Sequence, residues 1–97
     1  MRTRQEILDT LKAFKEEANS KYGVTKLGLF GSVARNQQRE DSDVDVCFDG
    51  ATPTLITMAR MEIELEKRIG APVQLTMLHK GLSKSFLENL NRDVIYV

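Results

Sequence analysis

Phe30-Gly31-Ser32-Val33-Ala34-Arg35, followed after a short gap by Ser42-Asp43-Val44-Asp45-Val46-Cys47-Phe48, decides how this chain is read. Thr25 to Phe30 has the composition of a strand, and Gly31-Ser32 suits a tight turn from it into a short helix. Asn36 to Ser42 is wholly polar and reads as a loop. Asp43 to Phe48 reads as a second strand. Side chains two apart on a strand share a face, so Asp43 and Asp45 point one way and Val44 and Val46 the other. Two carboxylates on one face repel unless a cation neutralises them. Hard divalent cations such as Mg²⁺ take oxygen ligands of this kind, with substrate phosphates completing the shell. A helix start offers unpaired N–H groups and the positive end of its dipole to phosphate. Gly31 lets the backbone come close, and Ser32 adds a hydroxyl. A phosphate cradle beside metal-binding carboxylates is equipment for phosphoryl or nucleotidyl transfer. Each half alone is commonplace in structural roles; their conjunction carries the reading.

Working outward, residues 3–20 form an amphipathic helix by periodicity, with Ile7, Leu11, Phe14 and Ala18 inward. Thr3 caps it, Glu6 completes a capping box, and Gly23 is a natural stop. Thr52 before Pro53 predicts the cap and first turn of another helix running to Ile69, with Leu55, Met58, Met61, Leu65 and Ile69 inward. Gly70 and Pro72 end it. Val73 to Leu78 alternates as a third strand. A helix over about 83–91 buries Leu82, Phe86, Leu87 and Leu90, and Val94 to Val97 is β-prone. Alternating elements predict an α/β (α+β) fold, a mixed sheet of about four strands covered by helices. No repeat or linker divides residues 1–97, so a single domain is expected.

Composition narrows the function classes. The chain has 97 residues, 41% hydrophobic and 29% charged, which excludes general disorder. Lys plus Arg number 14 and Asp plus Glu 14, for zero net charge, without the basic surplus of a nucleic-acid module. Cys47 is the only cysteine, so no intramolecular disulfide and no Cys-based zinc site can form; it reads as a buried strand residue. His79, the only histidine, falls in a loop reading. Glu62, Glu64, Glu66, Lys67 and Arg68 read as a solvated helix face. No apolar run approaches the ~20 residues of a membrane span. The first residues lack the apolar stretch of a signal peptide, so a cytoplasmic location is expected.

Gly31-Ser32-Val33-Ala34-Arg35 with Ser42-Asp43-Val44-Asp45-Val46 resembles the signature of the DNA polymerase beta-like nucleotidyltransferase superfamily. The short length and the ending Asp93-Val94-Ile95-Tyr96-Val97 resemble its minimal nucleotidyltransferase branch, so the likeness covers nearly the whole chain. The resemblance implies a nucleotidyltransferase-like fold. It assigns Gly31 and Ser32 to nucleotide binding, and Asp43 and Asp45 to Mg²⁺ binding and catalysis. Arg35 matches the family's arginine, with a phosphate-binding and a structural role both open. The implied reaction is transfer of AMP from ATP. In that branch the implied partner is a HEPN-type ribonuclease encoded next door, silenced by AMP attached to a tyrosine or by binding alone. A chain this short needs such a partner, or a second copy of itself, to supply the acceptor.

One departure stands out. The third carboxylate that the family carries on the next strand is replaced by Gln74, in Val73-Gln74-Leu75. A glutamine offers a neutral carbonyl oxygen but no charge and no general base. Asp49 continues the aspartate face too far along the strand to substitute, and Asp41 lies in the loop. Slow transfer, or a nucleotide- and partner-binding module without turnover, are the expectations that follow. A small-molecule transferase of the antibiotic-modifying type is disfavoured, because those carry an additional helical domain. Asn36 stands where the family often has glycine, and asparagine tolerates the left-handed conformation.

Overall fold

The structure, a computed structural model, describes residues 2–97. The first helix, α1, spans Arg4–Tyr22. Its capping box is complete: the Glu6 amide donates to Thr3 Oγ1 at 3.1 Å, and the Thr3 amide donates to Glu6 Oε1 at 2.9 Å. Together they satisfy two of the amides that a helix start leaves unpaired. Strand β1 (Val24–Phe30) runs directly into the four-residue helix α2 (Gly31–Ala34). Strand β2 (Val44–Gly50) is followed by α3 (Leu55–Ile69), β3 (Val73–Met77), α4 (Lys84–Asp93) and the two-residue β4 (Ile95–Tyr96).

The sheet order is β3-β2-β1-β4. Strand β1 pairs antiparallel with β2 and with β4, while β2 and β3 run parallel. A parallel neighbour needs a crossover, and α3 supplies it. Strand alternation then sorts the side chains. Leu27, Leu29, Val44, Val46, Phe48, Val73 and Leu75 face α1 and α3, where they join Ile7, Leu11, Phe14, Met61 and Leu65 in one core. Large apolar side chains buried this fully contribute about 1.5–3 kcal/mol each to stability. The other sheet face carries Asp45, Cys47, Phe30, Gly28 and Gln74. α4 lies against α2, and the Phe86 ring meets Phe30 edge-on at 5.8 Å.

Two local expectations are corrected. The cap of α3 is Thr54, whose hydroxyl accepts from the Thr57 amide at 3.1 Å, and not Thr52. Pro53 then precedes the cap, where its missing N–H has no consequence. With the start moved, Leu55 becomes the first helical residue and is 90% exposed rather than inward. On α4 only Leu90 is fully buried; Phe86 and Leu87 are half-buried, as is Leu82 ahead of the helix.

Candidate active site

Gly31 is the pivot of the site. It follows the last residue of β1 and opens α2 with φ +75°, a conformation in which a side chain is strained. A β-carbon there would also overlap the Asp45 side chain, lying 3.0 Å from its Cγ. The register explains the approach: Phe30 pairs with Asp45 across β1 and β2, so the carboxylate rises against the turn that follows Phe30. Glycine is therefore required twice, by the backbone angle and by the neighbouring acid.

At α2 the cap residue, Phe30, supplies no side-chain hydrogen bond, so its side chain satisfies none of the first amides. Ser32 is half-buried at the second position, and its carbonyl accepts from the Gln37 amide at 2.8 Å. Asn36 follows with φ 59°, the only left-handed non-glycine residue among those described. Its side chain suits that conformation, as the sequence suggests.

Asp43 is exposed and stands one residue ahead of β2, not within it. Its charge nevertheless acts on Asp45. Burial and then the Asp43 carboxylate push the Asp45 carboxyl above its usual range, while the Arg35 guanidinium partly offsets them. Gln74 pairs with Asp45 in the parallel β2/β3 register and so shares its face of the sheet. The residue that the sequence reading sets against a third carboxylate thus stands directly beside Asp45. Among the described residues no group of three or more His, Cys, Asp or Glu side chains converges as a metal-holding cluster.

Arg35 has a partner that the sequence reading did not foresee. Its Nη1 donates to Asp93 Oδ2 at 2.7 Å, and its Nε donates to Gln37 Oε1 at 3.1 Å. The ion pair ties the end of α2 to the last residue of α4. Asp93 lies 58 positions away in the chain, and no local pattern links the two. Cys47 stands on the aspartate face yet is fully buried, and burial pushes its thiol up to about 11. That protonated thiol is no nucleophile. His79 makes a local turn contact, accepting from the Gly81 amide at 3.0 Å.

The donor set fits a hard divalent cation. Asp43, Asp45 and the Gln74 carbonyl offer oxygen donors, the kind such an ion takes, and the charge repulsion from Asp43 that adds to burial in raising the Asp45 carboxyl is what a cation between them would relieve. The pattern of the nucleotidyltransferase domain family matches residues 11–92, and the chain belongs to that family. Its likeness is to the minimal branch. The protein adenylyltransferase MntA of Thermococcus cleftensis is 39% identical over 101 residues, spanning all of this chain and 98% of that one. A solved structure described as a minimal nucleotidyltransferase is 34% identical with a TM-score of 0.69, over 91% of this chain and 93% of that one. An antitoxin complex with a tri-AMPylated HEPN toxin of Shewanella oneidensis matches in fold, with a TM-score of 0.65 at 19% identity. That match covers 97% of this chain and 71% of the other. Among the described residues no helix is long and apolar enough to cross a membrane.

Proposed function

We propose that the chain is a Mg²⁺-dependent protein adenylyltransferase that takes AMP from ATP and attaches it to a HEPN-type partner, acting as that partner's antitoxin. The observation that carries this reading is the packing of the Asp45 carboxylate against Gly31 at the start of α2. Carboxylate oxygens that would bind a metal then lie beside backbone donors of the kind that would suit a triphosphate. Asp43 and Asp45 would hold the ion, and Gly31 and Ser32 the phosphates. When bound, Mg²⁺ would offset the charge that develops as pyrophosphate leaves. In the transfer an acceptor hydroxyl oxygen bonds to the α-phosphorus, the bond to the β-phosphate oxygen breaks, and the hydroxyl proton passes to solvent. Gln74 can orient the acceptor or a water but cannot take that proton. The relatives named protein adenylyltransferase, and the AMPylated toxin in a fold-related complex, support the choice of a protein acceptor.

Gln74 favours a second reading, in which the chain binds nucleotide and partner but turns over weakly or not at all. Label transfer from α-labelled ATP to a co-expressed HEPN-type protein separates the two. Stable label on the partner, lost in Asp45→Asn, supports transfer. A stable complex that never takes label, formed by a chain that still binds ATP, supports the binding module. Separate elution of the two folded proteins at micromolar concentration removes the antitoxin role.

A further inference from the structure

Helix α3 is apolar on two opposite faces. Met61, Leu65 and Ile69 enter the core. Half a turn away, Ile56 and Ile63 lie one above the other at i and i+7, 69% and 52% exposed. Arg60 and Lys67 continue the same ridge, and Ala59 lies beside it. A solvated helix face should be polar throughout, and this one carries two β-branched apolar side chains.

The ridge borders a groove of about 800 Å³, whose lining includes Lys21, Arg60, Ile63, Glu64 and Lys67. The single acid there is already engaged: Glu64 accepts from Arg68 at 2.9 Å and from the Tyr22 hydroxyl at 3.4 Å. Among the described residues Lys21, Arg60 and Lys67 form no ion pair. Along the groove these three cations face only the one engaged acid, a balance that favours acid opposite.

We propose that the outward face of α3 docks an amphipathic helix of a protein partner, its apolar stripe on Ile56 and Ile63 and its flanking acidic residues on Arg60, Lys67 and Lys21. A second copy of this chain fits poorly. Arg60 lies near the middle of the ridge, so pairing about a two-fold axis sets like charges together. Nucleic acid would use the cations but leave the isoleucines unmatched. The ridge lies on the opposite side of the sheet from Asp45, so docking leaves the nucleotide face open. The proposal rests on no step of the transfer chemistry, and ATP binding can be measured apart from it.

The test is an NMR titration of the ¹⁵N-labelled chain with a synthetic helical peptide of about five turns, leucine at helical spacing and glutamate on both flanks. A second peptide carries lysine in place of glutamate. The expected result is shifts confined to residues 56–67 and Lys21 with the acidic peptide, none with the basic one, and affinity about tenfold lower or worse in an Arg60→Glu, Lys67→Glu variant. Equal binding of both peptides, or no binding of the acidic one, overturns the proposal. So does movement of the same resonances with chain concentration alone, which would mark a self-interface. Shifts there with an RNA oligomer and not with the acidic peptide would overturn it in favour of nucleic acid.

Discussion

Asp45 and its neighbour in the register, Gln74, set the chemistry open to single substitutions. Gln74 pairs with Asp45 in the β2/β3 register and shares its face of the sheet, where the proposed transfer would want a general base. Gln74→Asp is therefore expected to speed label transfer, by up to the 10²–10⁴-fold that general-base assistance typically supplies. Parallel assays of the natural chain and the variant check this; transfer that is robust in the natural chain and unchanged or slower in the variant would show that position 74 is not the vacant base. Asp45 itself carries a stability signature. Burial and Asp43 raise its folded pKa above the unfolded value, so the folded protein holds that proton more tightly. Stability from this group is fully present below the unfolded pKa, about 3.9, and is lost as pH rises through the folded value. Asp45→Asn removes that loss. Without metal or nucleotide the variant should melt above the natural protein at neutral pH, the gap closing as pH falls past the unfolded value. Thermal melts in chelator across pH measure it, and a variant that melts lower at neutral pH would contradict the assigned cause.

At the scale of elements, α2 is short but closely specified. Gly31→Ala asks an L-residue to adopt φ +75° and to occupy the space of the Asp45 side chain. The backbone term alone costs roughly 1–2 kcal/mol. The larger effect is expected on the site: ATP affinity falls by more than about tenfold while circular dichroism still reports the folded sheet. Asn36→Gly, at φ 59°, is the control, with stability within about 1 kcal/mol of the natural chain. Unchanged ATP affinity in Gly31→Ala would separate α2 from phosphate binding. Most elements here were legible in the sequence because their signals are local. The Thr3/Glu6 box, Gly23, and the alternation of Val44, Val46 and Phe48 each state their own conformation. The start of α3 was not, because Thr52 and Thr54 flank Pro53 and either can cap; only the hydroxyl that reaches the Thr57 amide settles it. The two apolar faces of α3 were also ambiguous, since periodicity picks out a core stripe without saying what the opposite face meets. Asp93 was illegible as the partner of Arg35, because their pairing exists only once the sheet places α4 beside α2.

For the whole molecule, the fold separates two tasks. One face of the sheet, with α1 and α3, holds the core; Phe48→Ala there is expected to cost about 3–5 kcal/mol, a large share of a small domain's stability. The other face holds Asp45, Gln74 and the glycine-opened turn. Because of that separation, the proposal that Asp43, Asp45 and the Gly31-Ser32 turn form one Mg²⁺–nucleotide site can be tested by a direct measurement. Isothermal titration of ATP into the natural chain and an Asp43→Asn, Asp45→Asn variant, each with Mg²⁺ and with EDTA, is that measurement. The natural chain is expected to bind with Mg²⁺, and the affinity to be at least about tenfold weaker in EDTA and in the variant. Equal affinity in EDTA, or in a variant that remains folded, would contradict the proposal.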